Sequence, residues 1–163
     1  MLDFAYSTET KVNASPQAVF DIVSDVTRHP ELAGSGEIQT IKKTPDGPVG
    51  LGTRMFAEEK VRMGNDTIDL TAESVVVTCD PPNCFSFITN PALPETIRRM
   101  QWWFRMSPDG QGTKVIHEVE LEWGDIQTDM LKGLRDNYEQ LRAGIIRDGM
   151  QKTLQNLKRM TGG

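Results

Sequence analysis

Imidazole, phenol and carboxylate are the groups in this chain whose placement could move a proton or hold a polar substituent. His117 is the sharpest of them. It stands in a row of apolar residues at every second position, Val115, His117, Val119, Leu121 and Trp123, set against Glu118, Glu120 and Glu122. Period-two alternation puts the first set on the interior face of a strand and the glutamates in solvent. An interior imidazole would titrate near neutral pH and could act as acid or base; a hydrogen-bonded core histidine is the commoner meaning of such a position. Tyr138, on a helix, offers a hydroxyl to the same interior, as would an inward Thr8 or Thr10. A buried hydroxyl or imidazole without a partner costs roughly 1–3 kcal/mol, so such groups must bond to each other, to water or to a ligand.

Other chemistries find little support. Glu58 and Glu59 project to opposite faces of their strand, so at most one is inward; an inward Glu58 or Arg54 would be a notable polar group. The paired acids do not read as a hydrolase site, and the chain has no Gly-x-Ser-x-Gly elbow. It has no Gly-x-Gly-x-x-Gly stretch between a strand and a helix, and its glycines at 50 and 52 lack the Lys-Ser/Thr ending of a phosphate loop. The only histidines, His29 and His117, stand far from Cys79 and Cys84 without zinc-ligand spacing, so no metal and no cofactor is expected. The two cysteines flank Asp80-Pro81-Pro82-Asn83 and are expected as reduced, structural thiols.

The elements that must position these groups follow from pattern. Phe4 to Val12 alternates as a half-buried strand. Ser15-Pro16 is an N-cap followed by proline at the first helical position, and Val19, Ile22, Val23 and Val26 predict a short helix ending near Thr27. His29-Pro30-Glu31-Leu32 predicts a second short helical turn. Strands follow at Ile38–Thr44, Thr53–Met63, Thr67–Cys79, Phe85–Thr89, Arg98–Ser107 and Thr113–Trp123, separated by turns rich in Gly, Pro, Asn and Asp. In the fourth of the seven strands Ile68, Leu70 and Ala72 share one face while Val75 and Val77 have the other parity, which predicts a bulge near Glu73-Ser74. Met100, Trp102, Phe104 and Met106 alternate with Arg99, Gln101, Trp103 and Arg105, so only one of the adjacent tryptophans faces inward. The last element is one amphipathic helix from about Thr128 to Met160, roughly 50 Å long. Its Gly144 and Gly149 read equally as close packing against the sheet or as room for a ligand.

The 163 residues suffice for one domain, 1–163. A net charge of −5 without a Lys/Arg-dense segment disfavours nucleic acid and anionic membranes. No apolar run approaches the roughly 20 residues of a membrane span. The start, Met1-Leu2-Asp3-Phe4, lacks signal-peptide character, and a cytoplasmic location is expected. A homodimer is compatible with this composition. Successive hairpins ahead of a helix point to an α+β fold with an antiparallel sheet.

That order resembles the START-like, helix-grip superfamily, also called SRPBCC. The motif Val12-Asn13-Ala14-Ser15-Pro16 through Asp25-Val26, then Arg28-His29-Pro30-Glu31, is similar to its opening signature. Gly50-Leu51-Gly52-Thr53 resembles its glycine turn before the third strand, and Gly149 through Leu154 with Leu157-Lys158 its closing helix. Within the superfamily the chain looks most like the polyketide cyclase/dehydrase and lipid-transport branch. The resemblance implies a curved seven-stranded antiparallel sheet gripping a long C-terminal helix, with two short helices and an enclosed cavity for an apolar or aromatic molecule. The alternation then supplies candidate ligand-binding residues: Phe85, Phe87, Met100, Trp102, Phe104, His117, Val119, Leu121, Tyr138, Leu141 and Ile145. Loops at Gly64-Asn65, Asn90 to Glu95 and Gly124-Asp125 would gate one end by analogy.

Three functions are compatible with this reading. The first is binding or carriage of a hydrophobic small molecule such as a lipid, a quinone or an aromatic polyketide-like compound. The second is a cyclase or aromatase in which His117 or Tyr138 assists proton transfer. The third, a protein that recruits a partner, would need a large exposed apolar patch, which the charged outer faces disfavour.

Overall fold

Ser15 Oγ accepts from the Ala18 amide at 3.1 Å, and Pro16 follows it, so the first helix begins where the capping chemistry requires. The computed structural model describes residues 2–91 and 97–162. Its strands are β1 (Phe4–Val12), β2 (Ile38–Thr44), β3 (Arg54–Met63), β4 (Asp66–Asp80), β5 (Cys84–Pro91), β6 (Ile97–Asp109) and β7 (Gly112–Trp123). Its helices are α1 (Pro16–Val23), α2 (His29–Leu32), α3 (Asp129–Asp136) and α4 (Gly144–Met160). The seven strands form one antiparallel sheet in the order β1-β7-β6-β5-β4-β3-β2. Strands β2 to β7 are a continuous meander, and β1 closes against β7 with Thr8 opposite His117.

The inner face is the one the alternation named. Val115, His117, Val119 and Leu121 are buried on β7, as are Met100, Phe104 and Met106 on β6. On the outer face the β7 glutamates meet arginines of β6: Arg99 reaches Glu120 at 3.0 Å and Glu122 at 3.2 Å, and Arg105 reaches Glu118 at 2.7 Å. Trp103 lies outward beneath the Arg105 guanidinium, 5.5 Å from its ring centre.

Three expectations need correction. The bulge in β4 falls between Val76 and Thr78 rather than near Glu73-Ser74. Ser74 is buried because its hydroxyl bonds Thr89 Oγ1 at 3.0 Å, so the inward parity of Leu70 and Ala72 continues through a polar residue to Val76. The first helix ends at Val23, and a single 3₁₀ turn, Val26–Arg28, leads into α2. The C-terminal helix is broken: α3 stops at Asp136, and a π-helical turn, Glu139–Ala143, precedes α4. A π turn inserts one extra residue into the helical count. The inward position therefore moves from Ile145 to Ile146, which is 3 % exposed.

Core packing fills both ends of the layer between sheet and helices. At one end Val12, Val19, Phe20, Val23, Phe85, Met106, Val115, Leu154 and Leu157 form a solid cluster. At the other, Ile126, Leu131 and Leu134 of the α3 region pack with Met63, Trp123, Tyr138 and Leu141. The β3–β4 hairpin docks here: Gly64, in the left-handed region at φ 63°, donates its amide to Leu141 O at 2.9 Å. Asn90 lies at the end of β5, and the rest of the predicted loop to Glu95 falls almost wholly outside the described residues.

The segment after α2 lies flush on α4. Gly34 donates to Thr153 Oγ1 at 2.9 Å, and Asn156 Nδ2 donates to Leu32 O at 3.0 Å. A Cβ on Gly34 would fall 2.4 Å from Gly149 O and 2.6 Å from Thr153 N. Gly149 serves the same contact, its hypothetical Cβ lying 3.2 Å from that of Ser35, so close packing is its role. Gly34→Ala is expected to lower stability by about 1–3 kcal/mol, since backbone must shift to admit the methyl group. Gly144→Ala meets open space and should be neutral or stabilising. Urea unfolding of the two variants checks the contrast.

Candidate functional site

Between the two packed ends, α4 rests on β1 and β7 and leaves the centre of the inner sheet face uncovered. A cavity of about 210 Å³ remains. Met55, Ala57, Val61, Leu70 and Ala72 of β3 and β4 form one wall; Phe87, Met100, Trp102 and Phe104 of β5 and β6 form another; Ile146 and Met150 of α4 form the roof. His29, Glu37, Glu59, His117, Tyr138 and Arg142 supply most of its polar groups.

Of the residues expected from sequence, the structure brings Phe87, Met100, Trp102, Phe104, His117 and Tyr138 to this wall. It places the other five elsewhere. Phe85 is 0 % exposed in the solid core, edge-on to Phe20 at 6.2 Å. Val119 and Leu121 are sealed against Ala143, Ile146 and Met150 by direct packing of the helix on β7. Leu141 covers the Gly64 hairpin, and Ile145 lines a separate polar groove on the outer side of the helix, both displaced by the π turn. Thr8 and Thr10 sit on β1 away from the cavity. Cys79 and Cys84 are free thiols.

His117 is buried and stacked on Phe104, the ring centroids 4.1 Å apart and nearly parallel. Its Nδ1 lies 2.9 Å from Trp103 O. A carbonyl only accepts, so Nδ1 carries the proton and Nε2 presents a lone pair. Burial lowers its pKa to about 4, against the raising effect of that hydrogen bond. His29 is the counterpart on α2: Nε2 donates to Val23 O at 2.9 Å, and Nδ1 keeps the lone pair. Burial lowers its pKa too. Both imidazoles are neutral at physiological pH. The Tyr138 ring is wedged between Phe4 and Trp123, at 5.4 and 5.7 Å, and burial raises its pKa. Its hydroxyl has no hydrogen-bond partner among the described residues.

Residues that the sequence reading did not single out set the polar end. Glu37, 4 % exposed, takes both nitrogens of Arg142 at 2.6 and 2.7 Å. It also accepts the Arg62 amide at 2.8 Å, while Arg142 Nη1 donates to Arg62 O at 3.1 Å. Beside this pair lies Glu59, without a hydrogen bond or ion pair among the described residues. Burial raises its pKa to about 7; the Glu37 carboxylate adds to the effect and Arg142 opposes it. Glu58 and Arg54, the alternative inward candidates, are exposed on the outer face, where Arg54 pairs with Glu73. The signal for Glu59 was its parity with Met55, Ala57 and Val61. Glu37 and Arg142 stand 105 positions apart, and no local pattern joins them.

The family model for polyketide cyclase / dehydrase and lipid transport matches residues 3–161, and the chain belongs to that family. No curated protein matches it in sequence. Among solved structures, a Thermus thermophilus protein is similar at 18 % identity and TM-score 0.66, with 97 % of each chain covered. A major latex-like protein of Panax ginseng is similar at 10 % identity and TM-score 0.69, again over 97 % of each. The di-domain ARO/CYC StfQ of the steffimycin biosynthetic pathway is similar at 14 % identity and TM-score 0.68, over 97 % of this chain and 50 % of that one. At these identities the likeness establishes the shared fold. Among the described residues no helix is long and apolar enough to cross a membrane.

Two predictions follow from the electrostatics. The Glu59 carboxyl ionises near 4.5 when unfolded and about 7 when folded. Between those values the folded state holds the extra proton, so stability from this group falls as pH rises. The penalty is absent below the lower value and complete above the upper one, at roughly 3 kcal/mol. The neutral histidines run the other way: His117, at about 4 folded against 6.5 unfolded, loses stability as pH falls through that window. The difference between Glu59→Gln and wild type isolates the carboxyl. Its gain in thermal midpoint should be small near pH 4.5 and grow to a plateau above pH 7. Separately, Arg142→Met leaves the buried Glu37 with only the Arg62 amide and the half-exposed Arg62 guanidinium at 3.8 Å, and should cost up to about 3–5 kcal/mol, much of it recovered by adding Glu37→Met. Urea titrations of the single and double variants measure both.

Proposed function

We propose that this chain binds a hydrophobic small molecule in the cavity between the inner sheet face and α4. The observation that carries the reading is the unfilled volume of about 210 Å³ with largely apolar walls and a few polar groups, Glu37, Glu59 and Arg142 lying side by side. An apolar cavity of about 150 Å³ already admits benzene. The space here suits a compact aromatic or single-chain molecule better than a two-chain lipid. Phe87, Trp102 and Phe104 supply stacking area. The Gly64–Asn65 hairpin, bonded to Leu141 of the π turn, and α3 border one end of the cavity through Met63, Leu131 and Leu134.

A second reading, an enzyme of cyclase or aromatase type using the same cavity, is favoured by one observation: Glu59 is an unpaired carboxyl whose pKa of about 7 suits proton transfer at neutral pH. In that reading Glu59 is the base and Tyr138 a hydroxyl donor. His117, neutral at pH 7, holds an acceptor toward the substrate. The walls then act mainly by fixing the substrate's conformation.

Nile red, an uncharged apolar fluorophore, should gain fluorescence on binding the purified protein. Leu70→Trp, which fills the cavity from the β4 wall, should weaken that binding about tenfold or more, with a cooperative thermal transition retained. Binding unchanged in this variant would sink the site. For the enzymatic reading, Glu59→Gln and His117→Ala should lower turnover of a poly-β-keto substrate while Nile red binding persists.

A further inference from the structure

Six titratable side chains line the cavity, and their partners divide them sharply. Arg142 is the one cation among them, and its charge is matched by Glu37 in a two-point pair. His29 and His117 have each spent their ring proton on a backbone carbonyl, of Val23 and Trp103. What each still offers is an unshared lone pair. Glu59 offers a carboxylate with no counter-ion, and Tyr138 a hydroxyl with no partner, among the described residues. Summed over the lining residues Glu37, Arg142 and Glu59, the charge is neutral or singly negative; the Arg62 guanidinium, 3.8 Å from Glu37, is half exposed and outside the lining. Among these six groups the unpaired atoms are mostly acceptors.

An acceptor-rich, anionic-to-neutral pocket end discriminates by charge. We propose that the cavity selects apolar molecules carrying a hydrogen-bond donor, a hydroxyl or a protonated amine, and rejects those with an anionic head. A donor placed beside Glu59 satisfies the lone carboxylate, while the lone pairs of His117 and His29 offer further acceptors elsewhere along the wall. A carboxylate in the same place faces the Glu59 carboxylate between largely apolar walls, and like charges so juxtaposed are strongly disfavoured. Arg142 offers it little, because its charge is matched by Glu37 and three of its five N–H groups are taken by Glu37 and Arg62 O. The ligand class is therefore narrower than hydrophobicity alone implies: fatty-acid-like molecules fit the walls and fail at the polar end.

This inference rests on the cavity being a binding site, and a competition series separates the two claims. Nile red bound to the full chain is displaced at about pH 8, where Glu59 is ionised, by octanol, octylamine and octanoate, which differ only in the head group. Octylamine and octanol should compete, with octanoate weaker than octanol by about tenfold or more. Glu59→Gln, which keeps the shape, should remove the advantage of octylamine over octanol and improve octanoate relative to octanol. The outward Glu58→Gln should leave the wild-type order unchanged. Octanoate competing as well as octanol in wild type overturns the charge selection while leaving the cavity reading intact. An order unaltered by Glu59→Gln overturns the assignment to Glu59. Failure of Nile red to bind at all overturns the cavity reading and this inference with it. The wild-type ranking decides the charge claim even if the variant does not fold.

Discussion

The buried pair of Glu37 with Arg142 is the constraint on which the architecture of the polar end depends. It joins three pieces of chain that share no local sequence: the loop ahead of β2, the edge of β3 through the Arg62 amide and carbonyl, and the π turn between α3 and α4. A buried ion pair contributes little net stability compared with apolar packing of the same volume, because both charges lose their hydration. What it supplies is geometry. Two parallel N–H···O bonds fix the guanidinium plane, and the plane fixes where the π turn sits over the sheet. With Leu141 O bonded to Gly64, the turn is held from two sides.

The hollow follows from that placement. A straight, continuous helix from Thr128 to Met160 would lay one apolar stripe along the sheet. The break at Asn137 and the extra residue of the π turn divide it. The end of the π turn and α4 pack on β1 and β7 through Ala143, Ile146 and Met150, while α3 turns its Leu131 and Leu134 onto Trp123, Met63 and Tyr138. Neither half fills the concave centre of the sheet. The side chains that face it from β3 and β4, Ala57, Leu70 and Ala72, are of modest size or leave room above them. Small residues on one wall and aromatics on the other produce a space with one flat, stackable side.

How much of this was legible in the sequence depended on the range of the interaction that decides it. Period-two alternation is local, and it placed β6 and β7 with their inner residues, His117 among them. The resemblance to helix-grip proteins supplied the grip of sheet on helix. The failures have physical reasons. Alternation tells which face a residue occupies, but not whether a helix covers it, so Phe85, Val119 and Leu121 were indistinguishable from true wall residues such as Phe87 and Met100. Ile145 was misplaced by a single inserted residue, a π turn that the side-chain pattern around Tyr138 and Leu141 does not announce. In β3 the consecutive Glu58 and Glu59 obscured a parity that Met55, Ala57 and Val61 carry plainly. Glu37 and Arg142 are charged residues that composition assigns to the surface; only the tertiary fold brings them together.

Glu59 shows how stability and function diverge at such a site. Its carboxyl gains nothing from burial: the ionised form has no cation of its own, and it lies beside another carboxylate. A leucine or glutamine at the same position would fill the same wall without that cost, and packing alone gives no reason for an acid there. The two imidazoles make the same point from the other side, since each has one nitrogen tied to the backbone and the other left bare toward the cavity region. Two imidazoles kept neutral at pH 7 and a carboxyl half ionised there, around an apolar space, do not attract an anion. They can accept a proton or a hydrogen bond from something that arrives with one to give. The free energy withheld from folding at these positions is then available to the bound state, which is why the polar end, rather than the larger aromatic wall, sets what the cavity will hold.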